Sequence, residues 1–246
     1  MQRTKAPKLK KPFRWSLRHA GCIALIIFTI FIIVGIYYKL SSVRSFPIKI
    51  VKVKGDYIHV DNAILRNTIK PFVNVSIFTL HAAALQASLE QIPWVANANV
   101  RRMFPATLIV TINEKQPIAV WNNKALLTAD GKLFVVPQGG YPSGIPHLNG
   151  PVDQQQDLLK TMQSMNVMLQ PLDVSVQQLN LSARNSWSLV LSNGISVTLG
   201  QKDLWQRLQR MVIIFPKIIG SRADDVLSMD LRYPNGIAVQ WKRGKK

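Results

Sequence analysis

The chain has 246 residues, of which 31 are basic and 12 acidic, so its formal charge is +19. Such an excess favours a negatively charged partner, such as anionic lipid, an acidic wall polymer or an acidic protein, although a generally basic proteome accounts for it equally well. The basic residues beyond the N-terminus are scattered and are not interleaved with stacking aromatics, which argues against nucleic acid. The single cysteine, Cys22, excludes an intrachain disulfide.

Residues 20–38 form an uncharged, almost wholly apolar run that follows a basic segment, residues 1–19, without any acidic side chain. About 19 residues at ~1.5 Å rise give roughly 28 Å of helix, enough to cross the hydrocarbon core of a bilayer. The positive-inside rule keeps the basic tail in the cytoplasm, so the sequence predicts a single-pass type II membrane protein. A cleaved signal peptide is the alternative, but the run is longer than usual for one and no small-x-small cleavage site follows it.

After a linker at residues 39–46, residues 47–115 are predicted to form a first exported domain with the element order β-α-α-β-β. Its strands alternate apolar and polar side chains, its helices carry apolar residues at helical spacing, and Asp61 and Pro71 mark the two ends of the first helix. The predicted elements are a strand at Pro47–Lys54, helices from Asp61 to Lys70 and from Leu80 to Gln91, and strands at Val95–Arg101 and Thr107–Glu114.

Residues 116–246 have a different texture, with short apolar runs separated by pairs of turn residues. The pairs suit the positive φ angles of tight hairpin turns, and they are Asp130-Gly131, Gly139-Gly140, Asn193-Gly194 and Asn235-Gly236. Two helical patterns interrupt the strands, at 153–169 and 202–215. The sequence therefore predicts a mixed, β-rich second domain built from antiparallel hairpins, and an α+β fold class for the chain as a whole.

The sequence contains no recognisable catalytic or metal-binding motif. None of its four histidines has the spacing of metal ligands, and there is no nucleophile elbow, no P-loop and no cysteine outside the apolar run. The adjacent pair Asp224-Asp225 precedes a predicted strand, where a turn cap or a solvent-facing role is commoner than an acid/base dyad. We therefore expect neither an enzyme nor a cofactor.

The last predicted hairpin, residues 228–241, is the most informative part of the second domain. A terminal strand can lie at a sheet edge, where its unpaired backbone groups would accept a strand from another chain. Tyr233, Trp241 and Arg232 have the composition of an interface hot spot, the arginine being suited to bidentate recognition of a carboxylate. On composition alone, packing of Tyr233 and Trp241 on the domain's own core is the better-supported alternative.

The ordered set of short motifs in the exported part resembles the FtsQ/DivIB family of bitopic bacterial cell-division proteins, in its proteobacterial FtsQ form. The motifs are Val51-Lys52-Val53-Lys54-Gly55, Ile92-Pro93-Trp94-Val95 with Val100-Arg101-Arg102, Pro117-Ile118-Ala119-Val120-Trp121, Ala129-Asp130-Gly131, Ala183-Arg184-Asn185-Ser186-Trp187, and Asp230-Leu231-Arg232-Tyr233 with Gly236-Ile237-Ala238-Val239. The resemblance implies that residues 47–115 are a POTRA domain and that residues 116–246 are the β-domain of this family, with a short basic C-terminal tail.

The resemblance also implies a function. FtsQ-like proteins are non-enzymatic scaffolds of the divisome that bind FtsB and, with FtsL, act upstream of septal peptidoglycan synthesis from the inner membrane, with their C-terminal domains in the periplasm at the division septum. The positions that match the partner-binding residues of the family are Arg184, Arg232, Tyr233, Asn235, Gln240 and Trp241. The region from Ile92 to Arg102 would face FtsK or other early recruiters, and FtsW is a further expected divisome partner.

Two features of this chain depart from the pattern that the resemblance implies: it ends soon after Trp241 in a basic tail, and Gln240 stands where a small residue is usual in the enteric form. The alternative function is that of a membrane-anchored binder of cell-wall or other anionic polymer. It is suggested by the basic charge of the exported part.

Overall fold

The computed structural model of the protein describes residues 17–42, 46–137, 140–234 and 236–242, without the side chains of residues 17–20 and 221. Helix α1 runs over Leu17–Ser41. Its stretch Gly21–Ser41 has a mean hydropathy of 2.5 and is wholly unburied, and it is the one helix of the described residues long and apolar enough to cross a membrane. Most of the predicted tail at 1–19, part of the linker at 39–46 and residues 243–246 lie outside the described residues.

The segment predicted to be the first domain, residues 47–115, has the predicted element order. Strand β1, helices α2 and α3, and strands β2 and β3 span Ile50–Lys54, Asn62–Ile69, Ala82–Glu90, Val95–Met103 and Thr107–Glu114. The three strands form a sheet of order β1-β3-β2, in which β1 runs parallel to β3 with Ile50 opposite Thr107. The prediction of a POTRA-like β-α-α-β-β unit is therefore confirmed.

Periodic burial explains why these residues form these elements. Each helix buries two leucine or isoleucine side chains one turn apart, Leu65 and Ile69 in α2 and Leu85 and Leu89 in α3. Strand β3 buries alternate residues, with Leu108, Val110 and Ile112 fully inaccessible to solvent. These spacings are those of a helix and a strand that each turn one face to a core.

The rest of the chain forms a second, larger sheet with two helices. The elements are β4 Pro117–Trp121, β5 Ala125–Thr128, β6 Leu133–Phe134, β7 His147–Asn149, α4 Gln155–Leu169, β8 Val176–Leu181, β9 Trp187–Leu191, β10 Ser196–Gly200, α5 Leu204–Ile218, β11 Val226–Asp230 and β12 Ala238–Trp241, with a 3-10 helix at Gly220–Asp225. Within the described residues, the nine strands have the order β12-β11-β10-β9-β8-β7-β4-β5-β6.

The pairing of these strands differs in part from the predicted antiparallel hairpins. Five neighbouring pairs are antiparallel, but β4 with β7, β7 with β8, and β10 with β11 are parallel. Parallel neighbours need a crossover connection, and α4 and α5 supply it for β7–β8 and β10–β11. The prediction of a mixed, β-rich domain that ends in an antiparallel hairpin is confirmed, whereas the expectation of hairpins throughout was wrong.

Two of the four predicted turns can be checked directly. Gly131 and Gly194, with φ of 80° and 84°, lie in the connections between the antiparallel pairs β5–β6 and β9–β10. Both need the left-handed conformation that glycine adopts without strain, as the Asx-Gly signal predicts. Gly139 and Asn235 lie outside the described residues, so the other two turns stay predictions.

One continuous hydrophobic core joins α4 and α5 to the large sheet. Helix α4 contributes Leu158, Met165 and Leu169, which are all fully buried, and α5 contributes Leu208 and Met211. The sheet meets them with alternate residues of its central strands: Val176, Leu179 and Leu181 in β8, Leu189 and Leu191 in β9, and Val197 and Leu199 in β10. One face of the sheet is therefore covered by the two crossover helices.

The chain divides into two compact units. Unit 1 comprises Met1–Gly55, Asn62–Leu89 and Ala98–Thr111, and unit 2 comprises Asp56–Asp61, Glu90–Asn97 and Ile112–Lys246. Unit 2 thus contains short segments that the sequence assigns to the first exported domain.

Glu114 ties one of these segments to the end of β3 inside unit 2. Its Oε1 accepts hydrogen bonds from the backbone amides of His59 and Val60 at 2.7 and 2.8 Å, and His59 Nδ1 lies 3.2 Å from Oε2. The carboxylate side chain is only 10% exposed. Burial raises its pKa, but hydrogen bonds from the amide of Ile58, the His59 ring and the amides of Val60 and His59 outweigh it and hold the pKa below its usual value.

We predict that Leu158→Ala destabilises the protein and that Val167→Ala, on the same helix, does not. Leu158 is fully buried in the core, so its truncation leaves a cavity and should cost about 2–5 kcal/mol. Val167 is 65% exposed and its change should stay within about 0.5 kcal/mol. Urea titration of the purified chain in detergent, followed by circular dichroism, measures both. Equal midpoints for the two variants would contradict the assigned core.

We also predict an acid-sensitive contribution from Glu114. Because its folded pKa is lowered, its stabilisation is fully present above the unfolded value of about 4.3 and is lost as pH falls through the lower folded value. Glu114→Gln should therefore reduce the melting temperature at pH 7 and flatten its decline below about pH 4.5. Asp56→Asn, in the same segment, is the matched control and should keep the wild-type decline. A Glu114→Gln variant with an unaltered acid profile would show that the carboxylate does not hold the segment.

Candidate functional site

Strand β12 lies at the open edge of the large sheet, as the sequence predicts for a terminal strand. Among the described residues it pairs only with β11, antiparallel, with Ala238 opposite Asp230 and Gln240 opposite Ser228. The amide of Lys242 donates to the Asp225 carbonyl at 2.7 Å, so the backbone groups at 242, 240 and 238 face β11. Because backbone groups alternate along a strand, those of Val239 and Trp241 are directed to the open edge.

The guanidinium of Arg232, just after β11, is already paired with a carboxylate of its own chain. Its Nε lies 3.0 Å from both oxygens of Asp230, and its Nη2 lies 2.6 Å from Oδ2. The hydrogen bond from Arg232 lowers the pKa of Asp230, against the opposing effect of burial. The Arg232 side chain stays 61% exposed, so it presents a fixed, partly neutralised cation to solvent.

Tyr233 is exposed, but the backbone that carries it is held from behind. Its side chain is 57% accessible to solvent, so the alternative in which it packs on the domain's own core does not hold for this residue. Arg210 of α5 donates to the carbonyls of Leu231 at 3.2 Å and Tyr233 at 2.9 Å, and also to that of Pro234. A helix that packs one face on the core thus fixes the loop from which the phenol ring projects.

For Trp241, the alternative in which the ring packs on the domain's own core holds in part. It is half-buried and, like Ile237 and Val239, packs against the margin of the core. The guanidinium carbon of Arg222 lies 4.2 Å from the centre of its ring, within cation–π distance. Gln240 lies on the opposite face of β12, exposed, with its Oε1 accepting a hydrogen bond from Ser228 Oγ at 3.1 Å.

Arg184 lies apart from this group, in the exposed turn between β8 and β9. The register places that turn at the same end of the sheet as Arg232, because Trp187 pairs with Gly200 and Thr198 pairs with Asp230. At ~4.8 Å per strand, β9 and β11 are about 10 Å apart. The structure therefore brings Arg232, Tyr233, Gln240 and Trp241 to one edge and Arg184 to the same end of the sheet, while Asn235 lies outside the described residues.

Three residues of this site were missed in the sequence, namely Arg210, Arg222 and Gly200. Gly200 has a φ of 80°, and a Cβ there would come within 3.0 Å of Arg232 Cγ, so a side chain at 200 would displace the arginine. Arg210 precedes the buried Met211 in α5, and this position beside the apolar stripe is the only local signal for it. Neither arginine has a sequence motif, because each acts on residues that lie 19 to 24 positions further along the chain.

The described residues contain no group of three or more His, Cys, Asp or Glu side chains that could hold a metal ion. What the site offers instead is an open strand edge with an exposed aromatic ring and fixed cations. Such an arrangement suits the docking of an extended segment of another protein, by hydrogen bonds to the edge and side-chain contacts around it.

Comparisons with known proteins agree with this architecture. Residues 119–232 match the model described as "Cell division protein FtsQ/DivIB, C-terminal", and residues 46–115 match "POTRA domain, FtsQ-type". Similar curated proteins, each called "Cell division protein FtsQ", come from Coxiella burnetii, Shewanella oneidensis and Burkholderia pseudomallei. They are 35%, 33% and 30% identical to this chain, covering 82% of it in each case and 84%, 77% and 83% of their own lengths.

The resemblance drawn from the short motifs is thereby confirmed over most of residues 46–232. Identity at this level over four-fifths of both chains, together with matched domain models in the same order, leaves a single conclusion. The chain belongs to the FtsQ/DivIB family of bacterial cell division proteins.

Proposed function

We propose that the chain is a divisome scaffold that binds FtsB, together with FtsL, through the open edge of β12, and thereby links early and late division proteins for septal peptidoglycan synthesis. The observation that carries the proposal is the unpaired outer side of β12, beside the exposed ring of Tyr233. Proteins of the FtsQ family are division scaffolds and not enzymes, in line with the sequence prediction.

The proposal includes a topology and a domain division. Helix α1 fits a single-pass membrane protein, and the proposed arrangement places it in the inner membrane, with the POTRA domain at 47–115 and the β-domain at 116–246 in the periplasm at the septum. The basic residues before the apolar run support this orientation. FtsK and FtsW are proposed as further divisome partners, with the region from Ile92 to Arg102 as the surface for FtsK.

An incoming strand would gain hydrogen bonds from the backbone groups of Val239 and Trp241. Each such bond contributes only about 0.5–1.5 kcal/mol net, and backbone pairing is largely blind to sequence. Specificity therefore depends on the side chains around the edge. Tyr233 offers a large aromatic surface on a fixed loop, and Gln240 offers an exposed amide on the free face of the strand.

The cations at this edge favour a partner segment that carries acidic residues. Arg232 and Arg222 are both more than half exposed, and the carboxylates that face them, Asp230 and Asp225, neutralise them only in part. An acidic side chain on the incoming strand would therefore replace water around guanidinium groups that are already fixed in place, which adds mainly to specificity and association rate.

We predict that Tyr233→Ala weakens binding to the FtsB–FtsL complex by roughly 30-fold or more, the effect of losing a hot spot worth about 2 kcal/mol. Since the side chain is 57% exposed, its removal leaves no cavity and the melting temperature should not change. Trp205→Ala, which removes a 41% exposed aromatic ring from α5, is the control and should bind normally. Biolayer interferometry with the full chain in nanodiscs gives the affinities. Unchanged affinity for Tyr233→Ala would remove this residue from the interface.

A second prediction isolates the strand pairing itself. Val239→Pro removes an amide that faces the open edge and leaves the hydrogen bonds to β11 intact, a position where edge strands tolerate proline. It should weaken binding by about tenfold or more, the equivalent of about 1.4 kcal/mol. Val239→Ala loses similar packing but keeps the amide, and it should bind almost as the wild type does. If both variants bind alike, the partner does not add a strand at β12, whatever the result for Tyr233.

A further inference from the structure

Unit 1 carries a partly exposed aromatic cluster formed by the half-buried Phe46 and the exposed Phe78 and Phe104. The ring centres of Phe46 and Phe78 are 5.0 Å apart and those of Phe78 and Phe104 are 5.2 Å apart. Phe78 and Phe104 are 38% and 58% exposed, and the neighbouring Met103 is 43% exposed. Large apolar side chains in this number are rarely left together in water without a partner.

The cluster is tied directly to the end of α1. Ser76, which is fully buried, donates its hydroxyl to the carbonyl of Leu40 in the last turn of the helix at 2.7 Å. The amide of Phe46 donates to Ser42 O at 3.3 Å, and the amide of Ile77 donates to Phe46 O at 3.0 Å. The cluster therefore begins within a few residues and a few ångströms of the point where the chain leaves the apolar helix.

The charge of unit 1 is entirely of one sign. All twelve acidic residues of the chain lie in unit 2, and unit 1 contains none. The part of unit 1 from residue 46 onwards carries seven lysine and arginine residues, all of them exposed: Lys49, Lys52, Lys54, Arg66, Lys70, Arg101 and Arg102. Although basic residues are scattered along the sequence, most of the net positive charge beyond residue 46 therefore lies on the unit that contains the membrane helix.

Two of these basic residues lie close to the aromatic cluster, Lys49 through its backbone and Arg102 through its guanidinium. The backbone amide of Lys49 donates to the carbonyl of Ala106, two residues after Phe104, at 2.9 Å. The Nη2 of Arg102 donates to the carbonyl of Leu80, two residues after Phe78, at 2.8 Å. The surface therefore combines aromatic rings with lysine and arginine and has no acidic side chain of its own unit to oppose them.

We propose that this surface lies in the outer headgroup region of the same bilayer that α1 crosses, with the aromatic rings at the level of the glycerol backbone and the basic side chains on lipid phosphates. The inference rests on the proposed membrane topology but not on the binding of any division protein. Aromatic rings and long basic side chains are the residues that settle at a membrane interface, and an acid-free basic surface complements anionic lipid.

The position of the cluster favours lipid over a protein partner. Headgroups occupy about 5–8 Å on each side of the hydrocarbon core, and the hydrogen bond between Ser76 and Leu40 holds the cluster at that depth once α1 spans the membrane. A protein that covered the cluster would have to displace lipid from the same site. Unit 1 is therefore oriented by its own membrane helix and by this surface together.

Spin labelling of the full chain in nanodiscs that contain anionic phosphatidylglycerol tests the proposal. Three single-cysteine proteins are needed: the wild type labelled at Cys22, and Phe104→Cys and Val167→Cys, each in a Cys22→Ala background. We expect the labels at 22 and 104 to collide more readily with oxygen, which partitions into lipid, than with a water-soluble nickel complex. The label at 167, on an exposed position of α4, should show the reverse.

The outcomes separate this proposal from the topology on which it rests. If the label at 22 is in lipid and the label at 104 is as accessible to the nickel complex as that at 167, the helix spans the membrane but the cluster does not touch it, and the proposal is overturned. If the label at 22 is also in water, the topology and the proposal fail together. Phosphatidylcholine nanodiscs, whose lipid keeps the phosphate but has no net charge, should give a shallower label at 104, and unchanged depth there would overturn the proposed attraction of the basic residues to anionic lipid.

Discussion

The burial of one face of the large sheet beneath α4 and α5 is the constraint on which the rest of the β-domain depends. Both helices are crossover connections, α4 between the parallel strands β7 and β8 and α5 between the parallel strands β10 and β11. The helices that cover the sheet are therefore also the connections that its parallel pairs require. Because α5 returns the chain beside β10, β11 is placed parallel to it, and the hairpin of β11 and β12 then extends the sheet. The open edge at β12 is thus a consequence of how the core is closed.

The same crossover stabilises the edge that it creates. Arg210 of α5 fixes the carbonyls of residues 231 to 234, and Arg222, just after α5, stacks on Trp241. An edge strand without such support is a liability, because its free backbone groups pair with any exposed strand. Here the strand is four residues long, carries a polar Gln240 on its free face and is flanked by cations, features that limit unselective pairing and leave recognition to a complementary partner.

The sequence predicted those elements whose signals are local. Strand β3 at Thr107–Glu114 has the predicted bounds. The alternation of apolar and polar side chains and the turn before the strand both involve residues that are close together in the sequence. Helix α5 runs on to Ile218 although its predicted end was Phe215, since Pro216 is accommodated inside the last turn and the amide of Ile219 still donates to Phe215 O. Proline at that position removes the one hydrogen bond that its own amide would donate, and it does not end the helix.

What the sequence did not predict depends on contacts between distant residues. The parallel pairing of β10 with β11 and the hold of Arg210 on the loop of Tyr233 need the whole crossover to be in place. The two aromatic residues of the hairpin show the same limit: composition treats them alike, yet Tyr233 projects into solvent and Trp241 packs at the core margin. Trp241 packs at the core margin because side chains alternate between the two faces of β12. Tyr233 projects into solvent because Arg210 fixes the backbone of its loop.

Electrostatic character, too, becomes visible only with the structural division of the chain. Residues 56–61 and 90–97 follow unit 1 segments in sequence but belong to unit 2, and they carry three of the acidic residues that would otherwise be counted with the first exported domain. Once they are assigned, unit 1 is purely basic, whereas unit 2 contains basic and acidic residues in comparable numbers. The proposed binding at the β12 edge would therefore depend on backbone pairing, side-chain fit and the local cations Arg222 and Arg232, whereas the net charge that would attract an anionic surface lies on unit 1.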